Sequence, residues 1–453
     1  MARLFGTDGV RGVANESLTA ELAFKLGFAG AKVLTKTEDK KPVILIGMDT
    51  RISGKMLEAA LAAGICSAGA DAVTAGVIPT PGVAYLTRTM GFSAGVMISA
   101  SHNSFEYNGI KFFSCDGYKL PDAVEDEIEE IINNFDANYA ELKTGADVGT
   151  VTALEDAADK YTAYLKDAIN VDATGLKIAI DCANGASSAY AQKLFEQLGA
   201  ECVVIGNKPD GININDGCGS THMEILSETV VKEGCDMGFA FDGDADRFLA
   251  TDGKGELING DKVMFTIASA MKQEGKLNDN TLVVTVMSNL GLTIAANEAG
   301  LKLAKTKVGD RYVLEEMRDK GFNVGGEQSG HVILSDHSTT GDGMLTALAF
   351  LKSLKTLDLT AEEAASKVKI LPQVLLPAYV KNSDKEAAMQ SPKLKALTQE
   401  YEQILGDTGR ILIRPSGTEP QIRVMLEGEN IEQITKMAEA LVAAVNEDFK
   451  PEG

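Results

Sequence analysis

The chain has 453 residues, 45% of them apolar and 24% charged, with a formal net charge of −22. That length exceeds a single ordinary hydrophobic core, so several domains are expected. The acidic balance argues against general binding to nucleic acid or to anionic membranes, which rests on Lys and Arg; a small anionic substrate can still sit in a local basic patch.

Six cysteines (Cys66, Cys115, Cys182, Cys202, Cys218 and Cys235) are scattered, and no two of them form a C-x-x-C pair. His222 follows Cys218 closely, but no second ligand pair accompanies them, which argues against zinc. Reduced thiols in a cytoplasmic protein are the expectation. There is no apolar signal core at the N-terminus, and no stretch approaches the roughly 20 apolar residues of a membrane span.

In chain order, Leu22, Leu26, Ala29 and Val33 recur at helical spacing behind Thr19, a suitable N-cap. A strand over 43–48, a polar turn over 49–54, an alanine-rich helix to about residue 69 and a strand over 72–76 follow. Pro79-Thr80-Pro81 reads as a break before a helix over 82–90. The apolar run 96–98 reads as a buried strand that feeds the polar turn 99–103, with a second apolar run over 110–113. Strands alternating with helices predict a largely parallel, helix-covered sheet. The pattern restarts with strands over 176–181, 202–205 and 238–241 and helices over 187–198 and 224–233. It restarts again with strands over 282–287 and 303–306 and helices over 292–299, 311–320 and 343–354, with a glycine-rich turn over 325–330. At the end, Pro372 and Pro377 interrupt a strand-like run. A charged helical stretch over 383–405, strands over 410–414 and 421–427 and a helix over 431–445 complete the chain. The expected fold class is α/β: three similar mixed α/β domains over 1–150, 151–252 and 253–368, and a smaller α+β domain over 369–453.

Four constellations carry chemistry. Asp242-Gly243-Asp244-Ala245-Asp246-Arg247 ends the strand over 238–241. Residues two apart on an extended chain face the same way, so three carboxylates are expected to converge. All-oxygen ligands favour Mg²⁺ or Ca²⁺. An EF-hand is excluded, because its sixth and twelfth places hold Arg247 and Gly253. Ser101 lies in the turn after the strand over 96–98. Its neighbour His102 should point away on an extended chain, which makes the two a poor nucleophile–base pair. Spacing alone leaves Ser99 and Ser101 equally readable as turn-shaping residues.

The third constellation is Arg414-Pro415-Ser416-Gly417-Thr418-Glu419-Pro420. Backbone N–H groups and hydroxyls in such a turn can cradle an anion, with Arg414 and Arg423 adding charge; an ordinary turn stays open. The fourth, Gly325-Gly326-Glu327-Gln328-Ser329-Gly330-His331, places Glu327, Ser329 and His331 alternately toward one side. That rim suits a polyhydroxylated ligand, while a structural loop histidine stays open. Ser53-Gly54-Lys55-Met56 is no phosphate-binding P-loop, since Asp49 stands where the first glycine is required.

These four motifs, in this order, with Phe5-Gly6-Thr7-Asp8-Gly9-Val10-Arg11-Gly12 ahead of them, resemble the α-D-phosphohexomutase superfamily along essentially the whole chain. Gly-Gly-Glu-Gln-Ser-Gly-His over 325–331 and Val308-Gly309-Asp310-Arg311-Tyr312 resemble its glucosamine-phosphate branch. Ser104 departs from the pattern, in which proline commonly follows His-Asn. The resemblance implies four domains around a central cleft. It implies that Ser101, as phosphoserine, gives its phosphoryl group to glucosamine 6-phosphate and takes back the other one from the 1,6-bisphosphate. One Mg²⁺ per chain would be held by Ser101, Asp242, Asp244 and Asp246. Arg11 and Lys111 would stabilise charge or assist proton transfer, with His331 a sugar contact or acid/base candidate. Glu327 and Ser329 would hold sugar hydroxyls, and Arg414, Ser416, Gly417, Thr418 and Arg423 the unreacting phosphate. His102, Asn103 and Arg247 would support. The partner implied is a small sugar phosphate, with neither nucleic acid nor membrane, and a homodimer stays open. The competing readings are the same chemistry on glucose or mannose phosphate, a metal-dependent phosphatase, and a non-catalytic sugar-phosphate binder.

Overall fold

The computed structural model describes residues 3–6, 8–36, 41–138, 141–417 and 419–449. The first sheet contains β1 (Val10–Val13), β2 (Val43–Met48), β3 (Asp71–Val77), β4 (Ala94–Ile98), β5 (Tyr107–Ser114) and β6 (Val151–Ala153), in the order β1-β5-β4-β2-β3-β6. Strands β4, β2, β3 and β6 run parallel, whereas β5 is antiparallel to both β4 and β1. The sheet is therefore mixed, since a short connection after β4 can only return the chain antiparallel. Every residue of β4 is buried, as expected of a strand covered on both faces.

The helix Ala20–Leu34 begins at the expected cap, where the Thr19 side chain accepts from the Leu22 N–H. The helix after Pro79 starts earlier than expected, at Thr80, and runs to Met90. Pro81 lies in its first turn, where a missing N–H breaks no helical bond.

The second sheet has the order β11-β10-β9-β7-β8, with β7 (Lys177–Asp181), β8 (Glu201–Ile205), β9 (Met237–Phe241), β10 (Phe248–Asp252) and β11 (Leu257–Ile258). β9 and β10 form an antiparallel hairpin, and the acidic motif is its loop. The helix expected over 187–198 is split into a 3-10 turn, Ala186–Ala189, and a helix, Ala191–Gln197.

In the third sheet, β12 (Thr281–Thr285), β13 (Lys302–Thr306), β14 (Val324–Gly326) and β15 (Val332–Leu334) take the order β13-β12-β14-β15. Part of the expected glycine-rich turn is thus strand, and residues 327–331 connect an antiparallel pair. The last sheet is fully antiparallel, β16-β18-β17, from β16 (Gln373–Tyr379), β17 (Gly409–Pro415) and β18 (Gln421–Gly428). Pro377 lies inside β16, which tolerates it because β16 is an edge strand.

The fold class is α/β, with three mixed α/β domains and a smaller α+β domain at the C-terminal end. The chain forms two compact units. One comprises the residues through Met287 with Ala299–Lys367 and carries the first three sheets. The other comprises Ser288–Glu298 with the residues from Val368 onward and carries the fourth. Among the described residues, no helix is long and apolar enough to cross a membrane.

Candidate active site

Between β4 and β5 the chain reverses in a tight polar turn. Ser101, at its centre, is 2% exposed and has φ +52°. Few non-glycine residues adopt that left-handed conformation. The twist overturns the expectation drawn from adjacency. Ser101 Oγ and His102 Nδ1 approach to 3.3 Å, because a left-handed residue breaks the alternation of an extended chain. The closer partner is distant in sequence: Ser101 Oγ donates to Asp242 Oδ2 at 2.6 Å. Burial, then the charges of Arg247 and Arg11, push the His102 imidazole down to about 4, so it is neutral near pH 7. Asn103 contributes its backbone: its N–H donates to the Ala100 carbonyl at 3.1 Å.

The three aspartates do converge, but through a turn rather than through extended alternation. Ala245 has φ +55° and its N–H donates to the Asp242 carbonyl at 3.0 Å. One carboxylate oxygen from each of Asp242, Asp244 and Asp246 lies within 4.8 Å of the others, and all three residues are buried. The first domain grips this loop from outside. Thr80, at the start of its helix, donates through Oγ1 to Asp244 Oδ2 at 2.5 Å and through its N–H to the Asp244 carbonyl at 3.0 Å. The Arg247 N–H donates to Asp242 Oδ1 at 3.1 Å. Gly243 has no room for a side chain, since a Cβ there would lie 2.6 Å from the Ser101 carbonyl oxygen.

Burial, then repulsion from Asp246 and Asp244, raises the Asp242 carboxyl well above its usual range; burial and Asp244 raise Asp246 as well. Burial opposes ionisation of Asp244 too, yet Lys111 and Thr80 hold it below the usual carboxylate range. Asp244 Oδ1 and Asp246 Oδ1 are buried with no hydrogen-bond partner among the described residues. Clustered, buried, unsatisfied carboxylate oxygens are the donor set of a hard divalent cation, and the site could hold one.

From this loop an alternating series of charges leads away and returns. Lys111 on β5, 2% exposed, has its Nζ 2.9 Å from Asp244 Oδ2 and 2.9 Å from Asp8 Oδ2. Asp8 also pairs with Arg11 and takes Lys119 Nζ at 2.6 Å, and Lys119 reaches Asp310 Oδ2 at 2.6 Å. Asp310 Oδ2 is 3.6 Å from His331 Nε2, which is 3.9 Å from Asp246 Oδ2. Burial works against the charge on Lys111, but Asp244 and Asp8 outweigh it and raise its pKa above the usual lysine range. Asp8, Lys119 and Asp310 were not among the expected site residues. Asp8 and Asp310 stood inside quoted motifs, whereas nothing local marks Lys119.

The glycine-rich loop does not present one uniform rim. Glu327 is half-buried, and its Oε1 accepts from the Gly309 N–H at 3.0 Å. Ser329 is exposed and His331 buried. Neither ring nitrogen of His331 has a hydrogen-bond partner among the described residues. The ring lies against Gly341, where a Cβ would come within 2.5 Å of it. An isolated bridge between Arg247 and His331 ties the acidic loop to this one.

In the C-terminal unit, Arg414 on β17 and Arg423 on β18 are directly opposed cross-strand partners. Two like charges so placed destabilise a sheet; burial and then Arg423 lower the Arg414 pKa. Arg423 donates to Glu419 Oε2 at 2.7 Å. Ser416 is buried, its Oγ accepting from the Glu419 N–H at 3.2 Å, and Lys385 donates to its carbonyl at 2.6 Å. Gly417 is exposed. Thr418 lies outside the described residues.

A strand-end serine against buried aspartates, on three α/β domains and an α+β domain, is the build of a phosphohexomutase. Four family models match in succession. They are described as phosphoglucomutase/phosphomannomutase alpha/beta/alpha domain I (residues 2–139), domain II (159–255), domain III (259–370) and the C-terminal domain (378–444). The chain belongs to the phosphoglucomutase/phosphomannomutase family. It is 56% identical over 448 residues to the phosphoglucosamine mutase of Clostridium novyi, covering 99% of each chain. It is 54% identical over 451 residues to that of Clostridium tetani, covering 99% of this chain and 100% of the relative. The fold is shared with the crystal structure of a phosphoglucomutase/phosphomannomutase family protein from Burkholderia thailandensis. That match has a TM-score of 0.81 at 23% identity and covers 98% of this chain and 97% of the other.

Proposed function

We propose that the protein is a phosphoglucosamine mutase, an isomerase that interconverts glucosamine 6-phosphate and glucosamine 1-phosphate. The observation that carries the chemistry is the 2.6 Å contact of the Ser101 hydroxyl with Asp242, in a buried cluster of three aspartates. The choice of sugar is supported by the names of relatives more than half identical over their whole length.

Ser101, as phosphoserine, is the phosphoryl donor. The O1 hydroxyl of glucosamine 6-phosphate forms a new bond to phosphorus as the bond from Ser101 Oγ breaks, and the proton lost by O1 ends on Oγ, which is restored as a hydroxyl. Glucosamine 1,6-bisphosphate then presents its other phosphate, and the reverse step returns a phosphoryl group to Oγ. Asp242, Asp244, Asp246 and phosphorylated Ser101 would hold one Mg²⁺. When bound, the ion offsets negative charge on the transferred group. Lys111 keeps its proton and acts as a fixed positive charge beside that group, with Arg11 next to it through Asp8. His331, whose ring nitrogens make no hydrogen bond among the described residues, is a sugar contact or proton carrier, and Glu327 and Ser329 hold sugar hydroxyls. His102 and Asn103 shape the serine turn, and Arg247 braces the acidic loop. In the C-terminal unit, Arg414, Ser416, Gly417, Thr418 and Arg423 bind the phosphate that is not reacting, which fixes orientation away from the reacting centre. The four domains divide near residues 150, 252 and 368. Six free thiols suit a reducing cytoplasm.

The test is a comparison of kcat/KM for glucosamine 1-phosphate and glucose 1-phosphate, with Mg²⁺ and a sugar bisphosphate primer. A clear preference for the amino sugar is expected. Preference for glucose 1-phosphate would replace the substrate, and inorganic phosphate released in step with substrate loss would replace a mutase with a phosphatase.

A further inference from the structure

The left-handed turn at Ser101 raises the question of what holds it. Arg51, in the turn after β2, is 3% exposed and extends its guanidinium beneath the serine loop. Its Nη2 donates to the Ser101 carbonyl at 3.0 Å and to the Asn103 carbonyl at 2.8 Å. Its Nη1 donates to the Tyr107 carbonyl at 3.0 Å and to that of Ser104. Its Nε donates to Asp49 Oδ2 at 2.9 Å.

Asp49 closes a circuit back to the serine. The same Oδ2 accepts from Ser99 Oγ at 2.6 Å, and Ser99 Oγ accepts from the Ser101 N–H at 2.9 Å. Both backbone polar groups of Ser101 are thus tied to one buried cluster.

A second donor comes from the other domain. Asn215 Nδ2, on a loop of the β7–β9 region, donates to the Ser101 carbonyl at 2.9 Å and to the Asn103 carbonyl at 3.0 Å. Each of these two carbonyls therefore accepts from two side chains, which uses both lone pairs. Asn215 Oδ1 has no partner among the described residues, so the amide works here only as a donor. The Arg51 turn meets the second domain directly too. Thr50 Oγ1 donates to the Asn184 carbonyl at 2.6 Å and the Ile52 N–H to the Gly211 carbonyl at 2.8 Å.

We propose that Arg51 and Asn215 are positioning residues that hold the Ser101 carbonyl, and with it the left-handed turn that aims Oγ at Asp242. The inference rests on the mutase reading above and adds to it a dependence on docking. Arg51 arrives from the domain that carries Ser101. Asn215 arrives from the domain that carries Asp242. The serine points at the acidic loop only while the two domains are seated together. Ser104, where proline is common in the resembling pattern, has its carbonyl held by Arg51, so the turn is fixed without the ring.

The requirement for each residue type follows from geometry. Arg51 supplies donors in a planar fork along three directions, which the single ammonium of lysine cannot reproduce. Aspartate at 215 keeps the shape of asparagine but replaces its donors with acceptors that face two carbonyl oxygens. A displacement of about 1 Å at a reacting atom can cost roughly 100-fold in rate.

The experiment compares wild type with Asn215→Asp and Arg51→Lys. Each protein is loaded with phosphate from glucosamine 1,6-bisphosphate, and occupancy at Ser101 is read by intact mass and peptide mapping. Phosphoryl transfer to glucosamine 6-phosphate is then measured in a single turnover, well below Tm, and normalised to phosphoserine content. Each variant should transfer roughly 10- to 100-fold more slowly, with KM changed less than about threefold and with faster amide exchange over residues 99–107. Wild-type transfer rates in both phosphorylated variants, even with lowered Tm, would mean that the cluster serves stability alone and would overturn the proposal. If Arg51→Lys does not fold, Asn215→Asp decides by the same criterion. A wild-type enzyme that holds no transferable phosphoryl group at Ser101 would overturn the mutase reading itself, and that failure is visible in the control before either variant is read.

Discussion

The two charged centres of this molecule are built on opposite plans. Around Ser101, Lys111, 2% exposed, touches two carboxylates at 2.9 Å each, and every aspartate of the acidic loop is buried. In the C-terminal unit, Arg414 and Arg423 stand directly opposite each other on neighbouring strands, and the Ser416–Gly417 turn beside them is partly exposed. The first centre has more negative charge than its lysine and arginines cover, and calls for a cation. In the second, like charges face each other across neighbouring strands, and Arg423 is also paired with Glu419. On the function proposed above, the first would serve the chemistry and the second the binding of a phosphate.

The sharpest way to break the comparison is to remove divalent cations. Chelation should abolish turnover and lower Tm, because buried carboxylates then repel without a counter-charge, and Mg²⁺ should restore both in a concentration-dependent way. A Tm indifferent to Mg²⁺ would deny that the acidic loop is a metal site. Next in size is Lys111→Met. Removing one partner from a buried ion pair costs about 3–5 kcal/mol, so denaturant unfolding of the metal-free protein should show a loss of that order, together with a deep loss of kcat. Arg414→Gln should behave in the contrary manner. KM should rise roughly 10-fold or more as phosphate binding weakens, while stability should change by less than about 1 kcal/mol. A matching loss of stability in both variants would erase the contrast.

The smallest effect concerns pH. Asp342, 1% exposed, caps the helix Gly343–Leu357, accepting from the Leu345 N–H, and accepts from the Tyr161 hydroxyl at 2.8 Å. Burial pushes it up to about 7, against the opposing pull of these hydrogen bonds. A folded-state pKa above the unfolded value of 3.8 stabilises the protein fully below that unfolded value, and the contribution is lost as pH rises toward 7. Asp342→Asn keeps one acceptor oxygen for the cap, turns its other group into a donor toward the Tyr161 oxygen, and cannot ionise. The difference in Tm between the variant and wild type should therefore shift in the variant's favour from pH 4 to pH 8; a difference that stays constant would place the titration elsewhere.

Much of the make-up of the candidate site was legible in the sequence because its parts are short and local. A hydrophobic strand followed by Asp242-Gly243-Asp244-Ala245-Asp246 announces a cluster of carboxylates wherever the chain goes. The serine turn and the glycine-rich loop are equally compact. The way these residues converge was not legible. Extended alternation was the wrong geometry at Ser101 and at Ala245, both of which are left-handed, and it misjudged the pairing of Ser101 with His102. Long-range partners were also hidden. Lys119 joins Asp8 and Asp310 across 111 and 191 residues, and Arg51 meets Asn215 only at the carbonyls of a third segment. Element positions held where periodicity was clean, as in the helix from Ala20 and the strand Val43–Met48. They slipped where prolines lay within an element, at Pro81 and Pro377, because a first helical turn and an edge strand can each do without the N–H.

The central claim is that Ser101 carries the phosphoryl group. The most direct test incubates the protein with glucosamine 1,6-bisphosphate, maps the phosphopeptide, and follows that phosphoryl group into glucosamine 6-phosphate on the time scale of turnover. The account predicts one phosphoryl group, on the Ser101 peptide, transferred to the sugar at least as fast as kcat. A phosphoryl group on another residue, none at all, or one released only as inorganic phosphate would contradict it.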